Sequence, residues 1–126
     1  MPTYKGVLSG HPEVEKLTVT QYMYRSCTNS ITAFAGGGQA SATLLTGALN
    51  RVTTVATAAD SVMLPVAKAG LKIVVKNTAA NSLNVFPSLG DAINALSANA
   101  AFALATVKSA EFYCMVDGTW DTNLSA

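Results

Sequence analysis

The stretch Leu71–Pro87, which reads LKIVVKNTAANSLNVFP, constrains the fold more than any other part of the sequence. Leu71, Ile73 and Val75 would share one face of an extended strand, because strand side chains point alternately to opposite sides. The β-branched residues of this run favour a strand over a helix. Turn formers at 77–82 separate it from a second short apolar run that a proline ends. The pattern predicts an antiparallel β-hairpin.

A second hairpin is predicted over Ser109–Trp120. Asp117 and Gly118 are a two-residue turn signal, because both positions of a type I′ turn need a positive φ. Side-chain alternation predicts that the strand before this turn has an apolar face and an outer face. The residues expected to point inward are Ala110, Phe112, Cys114 and Val116, and those expected to point outward are Glu111, Tyr113 and Met115.

The rest of the chain after residue 39 consists of short segments separated by turn residues. Only Ala92–Ala105 is ambiguous, because its apolar spacing also suits a short helix. Interrupting polar residues favour two strands instead, Ala92–Leu96 and Phe102–Ala105. Regularly spaced short strands predict an all-β fold, either an antiparallel β-sandwich or a jelly-roll-like barrel.

Residues 1–30 differ in composition from the rest and are predicted to form an N-terminal arm, with the β-sandwich domain at 31–126. The arm has aromatic side chains but too little aliphatic content for a core of its own. We expect it to bind a partner through residues of the type that interfaces favour. These are Tyr4, Tyr22, Met23 and Tyr24. The alternative is that the segment is an ordinary edge strand of the same domain.

Charged residues make up only 12% of the chain, against a usual quarter. So low a charge content suggests that partners cover part of the surface; the alternative is that Thr, Ser and Asn keep the surface soluble without partners. Val74, Tyr113 and Met115 fall on nominally outward strand faces, which predicts a homo-oligomer interface. The net charge of +1 gives no case for binding nucleic acid or a membrane surface. No signal peptide is visible, and we expect both cysteines to be unpaired.

No set of residues has the composition of a catalytic or metal site. The one histidine, His11, cannot supply a multi-histidine metal set. The Asp residues lie beside turn formers, where they usually bond to nearby backbone. Cys114 lies in a predicted buried strand and suits a small core residue better than a nucleophile. We therefore expect no catalytic residues, no metal and no cofactor, and predict that the protein is not an enzyme.

The block from Gly36 to Asp121 resembles a family of small tailed-phage virion proteins. The resemblance lies in the order of GGGQASATLL, ALNRVTTVATAADSVMLP, VVKNTAANSLNVFPSLGDAINAL and FYCMVDGTW, of which NVFP-x-x-GDAINAL is the most distinctive. Such sequences occur as short virion proteins and as terminal domains of fibre-like proteins. The resemblance implies a particle component and implies nothing about the first thirty residues.

These features together predict a capsid decoration (cement) protein that binds the outer capsid surface and stabilises the head. Its expected partners are the major capsid protein of the same phage and further copies of itself, in the trimer that the resemblance to small cement proteins implies. Synthesis would take place in the host cytoplasm, and the protein would end on the virion surface. One alternative is a trimeric tail fibre, spike or adhesion-tip protein. The other is a carbohydrate-binding module, with Trp120 and Tyr113 as candidate stacking residues.

Overall fold

The computed structural model describes Thr18 and residues 20–126. In this part of the chain it contains ten strands and no helix. The strands are β1 (Cys27–Thr32), β2 (Thr43–Leu44), β3 (Leu49–Thr54), β4 (Ser61–Met63), β5 (Lys72–Asn77), β6 (Leu83–Phe86), β7 (Ala92–Ile93), β8 (Phe102–Leu104), β9 (Ser109–Val116) and β10 (Thr119–Leu124). The prediction of an all-β protein is confirmed.

The strands form two sheets, and the first six strands alternate between them. The large sheet has the order β1-β3-β5-β9-β10-β7, and the small sheet has the order β2-β4-β6-β8. Within each sheet these first six strands pair in parallel: β1 with β3 and β3 with β5 in the large sheet, and β2 with β4 and β4 with β6 in the small sheet. The chain therefore winds through three stacked coils, each with one strand per sheet, as in a β-solenoid.

The last strands cover the third coil with mostly antiparallel pairs. β8 pairs with β6, β9 with β5, and β10 with β9, all antiparallel, while β7 joins β10 in parallel at the far edge. The prediction of an antiparallel architecture is wrong for the coils, because five of the eight ladders in the described part are parallel. Alternating apolar residues indicate strands but do not reveal which strand pairs with which.

A single core lies between the two sheets. Val52 and Val75 of the large sheet and Val62, Leu83 and Val85 of the small sheet are inaccessible to solvent. Each such side chain contributes roughly 1.5–3 kcal/mol on burial. β8, β9 and β10 add the largest side chains at the end of the core farther from β1. The rings of Phe102 and Phe112 meet there edge to face, with centroids 5.6 Å apart.

The stretch from Leu71 to Pro87 is not a hairpin. Its two strands exist, but β5 lies in the large sheet and β6 in the small one. The segment 78–82 turns a corner of the coil, and Asn77 holds that corner through side-chain bonds to the backbone of Ala79 and Asn81. Leu71 is not inward as predicted: it is 38% exposed and precedes the strand.

The second predicted hairpin is present, as β9 and β10 joined at Asp117 and Gly118. Only Gly118 has a positive φ, at 88°, and the register shifts by one residue after Thr119, so a bulge replaces the expected type I′ turn. Three of the four residues expected to point inward are buried, but Val116 is 67% exposed because it adjoins this bulge. The strands expected within 92–105 are also present, as β7 and β8.

The boundary predicted between arm and domain falls inside a strand. β1 begins at Cys27 and pairs with β3 from its first residue, Cys27 opposite Leu49. Residues 20–26 precede this strand and are exposed. A variant that tests the arm must therefore keep everything from Ser26 onward.

Candidate functional site

The outer face of the large sheet brings together the three residues predicted for an oligomer interface. In the ladders, Val74 on β5 is paired with Leu49 on β3 and Glu111 on β9. Tyr113 and Met115 follow Glu111 at two-residue spacing on the same face of β9. Val74 and Tyr113 are half-buried, while Met115 is 67% exposed. The face therefore presents apolar side chains on adjacent strands.

A polar cluster, which sequence reasoning missed, lies within this face. Lys72 Nζ contacts Glu111 Oε2 at 2.8 Å, and the Tyr113 hydroxyl donates to the same oxygen at 2.9 Å. The Lys72 ammonium also lies 5.3 Å from the centroid of the Tyr113 ring, within cation–π range. Asn123 Nδ2 approaches Glu111 Oε1 at 3.5 Å. The only signal for this cluster in the sequence was the opposite charge of Lys72 and Glu111 at outward strand positions.

The cluster holds Glu111 as a carboxylate. The hydrogen bond from Lys72, followed by that from Tyr113, lowers the pKa of Glu111, and the same contact raises the pKa of Lys72. A carboxylate stabilised in this way is a poor general base, because its pKa lies further from neutral pH. The cluster therefore suits recognition better than proton transfer.

A second surface is a groove that runs along one corner of the coils. This corner groove has a volume of about 810 Å³, within the range of sites that bury a small ligand. Its apolar lining comes from the corners of successive coils, and its two charged residues are both basic. Its lining residues include Leu44, Val66, Leu71, Arg25, Ser26 and Lys72.

Immediately before the groove, the chain exposes three large side chains. Tyr22 is 79%, Met23 60% and Tyr24 90% exposed, and we call this stretch the YMY segment. These are three of the four residues predicted to bind a partner, and the structure brings them to the mouth of the corner groove. The fourth, Tyr4, and His11 lie outside the described residues.

The carboxylates near turns have structural roles. Asp60 is buried and accepts hydrogen bonds from the N–H groups of Gly36 and Thr57. Asp91 accepts from the N–H of Ala67 at 2.9 Å, and Asp117 accepts from that of Ala69 at 2.9 Å. The prediction of bonding to nearby backbone holds for Asp60, through Thr57, whereas Asp91 and Asp117 bond to backbone that is distant in sequence.

The distinctive motif NVFP-x-x-GDAINAL is explained by packing. Ile93 is fully buried, and Asn94 bonds reciprocally with Thr122, donating to its hydroxyl at 2.8 Å and accepting from its N–H at 3.0 Å. Asn99, just after the motif, accepts from the N–H of Gly90 at 2.7 Å. The motif thus fixes β7 against β10.

Trp120 cannot serve as a sugar-stacking platform in this fold, because it is completely buried. Cys114 is buried as well, and burial raises the pKa of its thiol, which makes it unreactive at neutral pH. Cys27 is exposed, and both thiols are free.

Within residues 18 and 20–126, no three His, Cys, Asp or Glu side chains come close enough together to hold a metal ion. The same part of the chain has no helix with the length and hydropathy needed to cross a membrane.

No family model, curated protein or solved structure matches this chain. The resemblance to phage virion proteins therefore stays a hypothesis carried by the sequence blocks.

Proposed function

We propose that the protein is a non-enzymatic virion structural protein that decorates the outer surface of a phage capsid and stabilises the head. The observation that carries the proposal is the large apolar side chains left exposed on two surfaces, Met115 on the outer face of the large sheet and the three residues of the YMY segment. A protein that works alone in solution rarely keeps such surfaces uncovered. The outer face of the large sheet serves self-association, and the YMY segment serves docking.

Self-association is assigned to the outer face of the large sheet, through Val74, Tyr113 and Met115. This face suits an interface between copies, because it combines apolar and aromatic side chains with the Lys72–Glu111 pair, which would give the contact orientation. We propose a homotrimer. Many copies on one particle would multiply modest contacts through effective concentration.

The finer architecture is also part of the proposal. We take the two-layer, sandwich-like domain to begin with β1 at Cys27, so that the arm, predicted as residues 1–30, ends before this strand. The support is one core enclosed between two sheets, preceded by exposed residues at 20–26. The partner of the arm is the major capsid protein of the same phage, and the protein would reach the virion surface after synthesis in the host cytoplasm.

A second candidate is a trimeric tail fibre, spike or adhesion-tip domain. The three parallel coils favour it, because solenoid coils stack on one another and β1 and β2 lie at the open edges of their sheets. A further coil supplied by a longer fibre-like protein could continue both sheets. In this candidate the protein would bind at the tail and not at the head.

Binding to particles tests the proposal. Capsids assembled without this protein are mixed with three forms of it: the intact chain, a variant lacking residues 1–20 that carries Tyr22→Ser and Tyr24→Ser, and Leu89→Asp as a control. Leu89 is 80% exposed on the loop after β6, outside both surfaces. We expect the intact chain and the control to cosediment equally, and the arm variant to lose binding by tenfold or more. Equal binding by all three would reject docking through the arm.

A further inference from the structure

The charged residues on the strands are sorted by sign. The strands of the small sheet carry none, and those of the large sheet carry five, each next to a buried residue and therefore on the outer face. On β1, β3 and β5 all of them are cations, and on β9 and β10 all are carboxylates. We call the first three strands the coil half of the outer face, and the other two its hairpin half. The charges are Arg51, Lys72 and Lys76 on the coil half, and Glu111 and Asp121 on the hairpin half.

Most of these charges are not compensated within the described residues. The ion pair that bridges β5 and β9, at the boundary between the halves, is the only one in that part of the chain. Arg51 donates instead to the side-chain oxygen of Asn29 at 3.2 Å, and Lys76 donates to the carbonyl of Val107. Both acceptors are uncharged. Arg51 and Lys76 therefore leave the coil half positive, and Asp121 leaves the hairpin half negative.

The separation of the signs is unfavourable inside one copy. Arg51 and Lys76 are paired in the ladder between β3 and β5, and like charges at paired positions destabilise a sheet. On β9, Lys76 is paired with Ser109, and Asp121 is paired with Tyr113, four residues farther on and about 13 Å away. This distance exceeds the screening length of about 10 Å at about 0.1 M salt, so the halves do not neutralise each other.

We infer that the coil half of one copy packs against the hairpin half of a second copy. Arg51 and Lys76 of the first copy then face Asp121 of the second, so each uncompensated sign meets its opposite. The inference rests on the proposed self-association through this face and not on the particle that the oligomer binds. A contact between different halves is head-to-tail, and three copies that turn this face to a common axis close the ring of the proposed trimer.

A second copy complements both halves at once. A partner of a single sign would be repelled by one half, whereas a second copy offers the opposite sign to each. The residues before Thr18 carry Lys5 and Lys16 as well as Glu13 and Glu15, and three of these four lie within four positions. Charges so mixed do not separate into a positive and a negative side, so this segment complements neither half.

Both halves also offer apolar contact area. On the coil half, Leu49 is paired with Val74 and is 37% exposed. On the hairpin half, Tyr113 and Met115 share the outer side of β9, and Met115 is 67% exposed. The apolar side chains supply buried area, and the charges fix which half meets which.

Charge reversal on each half, and on both halves together, tests the inference in solution without particles. The double variant Arg51→Glu with Lys76→Glu makes the coil half acidic, and Asp121→Lys makes the hairpin half basic. Each should weaken self-association about tenfold or more in sedimentation velocity at micromolar concentration, because like charges then meet. The triple variant, with all three changes, exchanges the signs of the two halves and should recover the self-association of the intact chain.

Lys68→Glu is the matched control, because Lys68 is exposed in the loop before β5 and lies outside the strands of this face. The control and the triple variant have the same net charge, each two units below the +1 of the intact chain, so the comparison separates the position of the charges from their sum. The control should associate like the intact chain. Fluorescence of the buried Trp120 shows whether each variant is folded.

Salt gives an independent reading of the same contact. Self-association of the intact chain and of the triple variant should weaken when salt rises from about 0.05 M to about 0.5 M. Variants of one half that associate like the intact chain, or a triple variant that stays as weak as they are, would overturn the inference and leave the proposed oligomer and capsid binding standing. An intact chain that is monomeric at micromolar concentration would overturn both the inference and the proposed self-association, while capsid decoration is measured separately on particles.

Discussion

Replacement of Asn77 by alanine should be among the most destabilising single changes in this protein. Asn77 is fully buried at the end of β5, where the chain turns from the large sheet to the small one. Its Nδ2 donates to the carbonyls of Asn81 at 2.9 Å and Leu104 at 3.1 Å, and its Oδ1 accepts from the N–H of Ala79 at 3.0 Å. One side chain thus ties the corner to both sheets.

The expected loss follows from these three bonds. A net contribution of about 0.5–1.5 kcal/mol for each of the three bonds gives a total of about 1.5–4.5 kcal/mol, and the buried N–H of Ala79 left without its acceptor places the value in the upper half. Domains of this size have about 5–15 kcal/mol of stability in all, so the variant should fold but unfold much more easily.

Urea unfolding followed by the fluorescence of Trp120 measures this loss, because the chain has one tryptophan and it is completely buried. With an m-value of about 2 kcal/mol/M, the midpoint should fall by about 1–2 M. Asn84→Ala is the matched control: Asn84 is half-buried on β6, and its loss should change stability by less than about 0.5 kcal/mol. If Asn77→Ala is no more destabilising than this control, the corner bonds do not hold the two sheets together.

Three further predictions concern strain, close packing and pH. Val107 has a φ of 57° and is 67% exposed, so Val107→Gly should relieve strain and raise Tm by about 3–5 °C, whereas an unchanged or lower Tm would argue against strain. A Cβ on Gly47 would lie 2.8 Å from Oγ1 of Thr28 and 3.2 Å from the backbone N of Thr28. Gly47→Ala should therefore lower the free energy of unfolding in urea by about 1–3 kcal/mol, and adding Thr28→Ala should recover part of this loss. Lys72 lowers the folded-state pKa of Glu111, so the stabilisation that this carboxylate gives the fold is present above the unfolded carboxyl pKa and is lost as pH falls through the folded value. Glu111→Gln should therefore flatten the dependence of Tm on pH between about pH 5 and about pH 2. A dependence identical to that of the intact chain would show that the pair does not stabilise the fold.

Strand positions could be predicted from the sequence because burial leaves a local pattern. Alternating apolar residues mark β5 and β9, and these strands lie where the pattern places them. Sheet assignment could not be predicted in the same way. A strand buries the same alternating face whether it pairs with the next strand along the chain or with the strand one coil further on.

The candidate site was only partly predictable for a related reason. The predicted interface residues Val74, Tyr113 and Met115 do lie on one outer face, since β5 and β9 are adjacent. The corner groove left no sequence signal, because it is formed by corners of different coils that only the parallel stacking brings together. Likewise, Lys72 and Glu111 are distant in sequence and meet only through that strand pairing.

Electron cryo-microscopy of capsids assembled without this protein, imaged before and after addition of the intact chain, tests the central claim most directly. The proposed function predicts new density on the outer capsid surface, at symmetry-related positions, in assemblies of three copies of the 13.0 kDa chain. Particles with an unchanged head surface, or with density only at the tail, would contradict a role in capsid decoration.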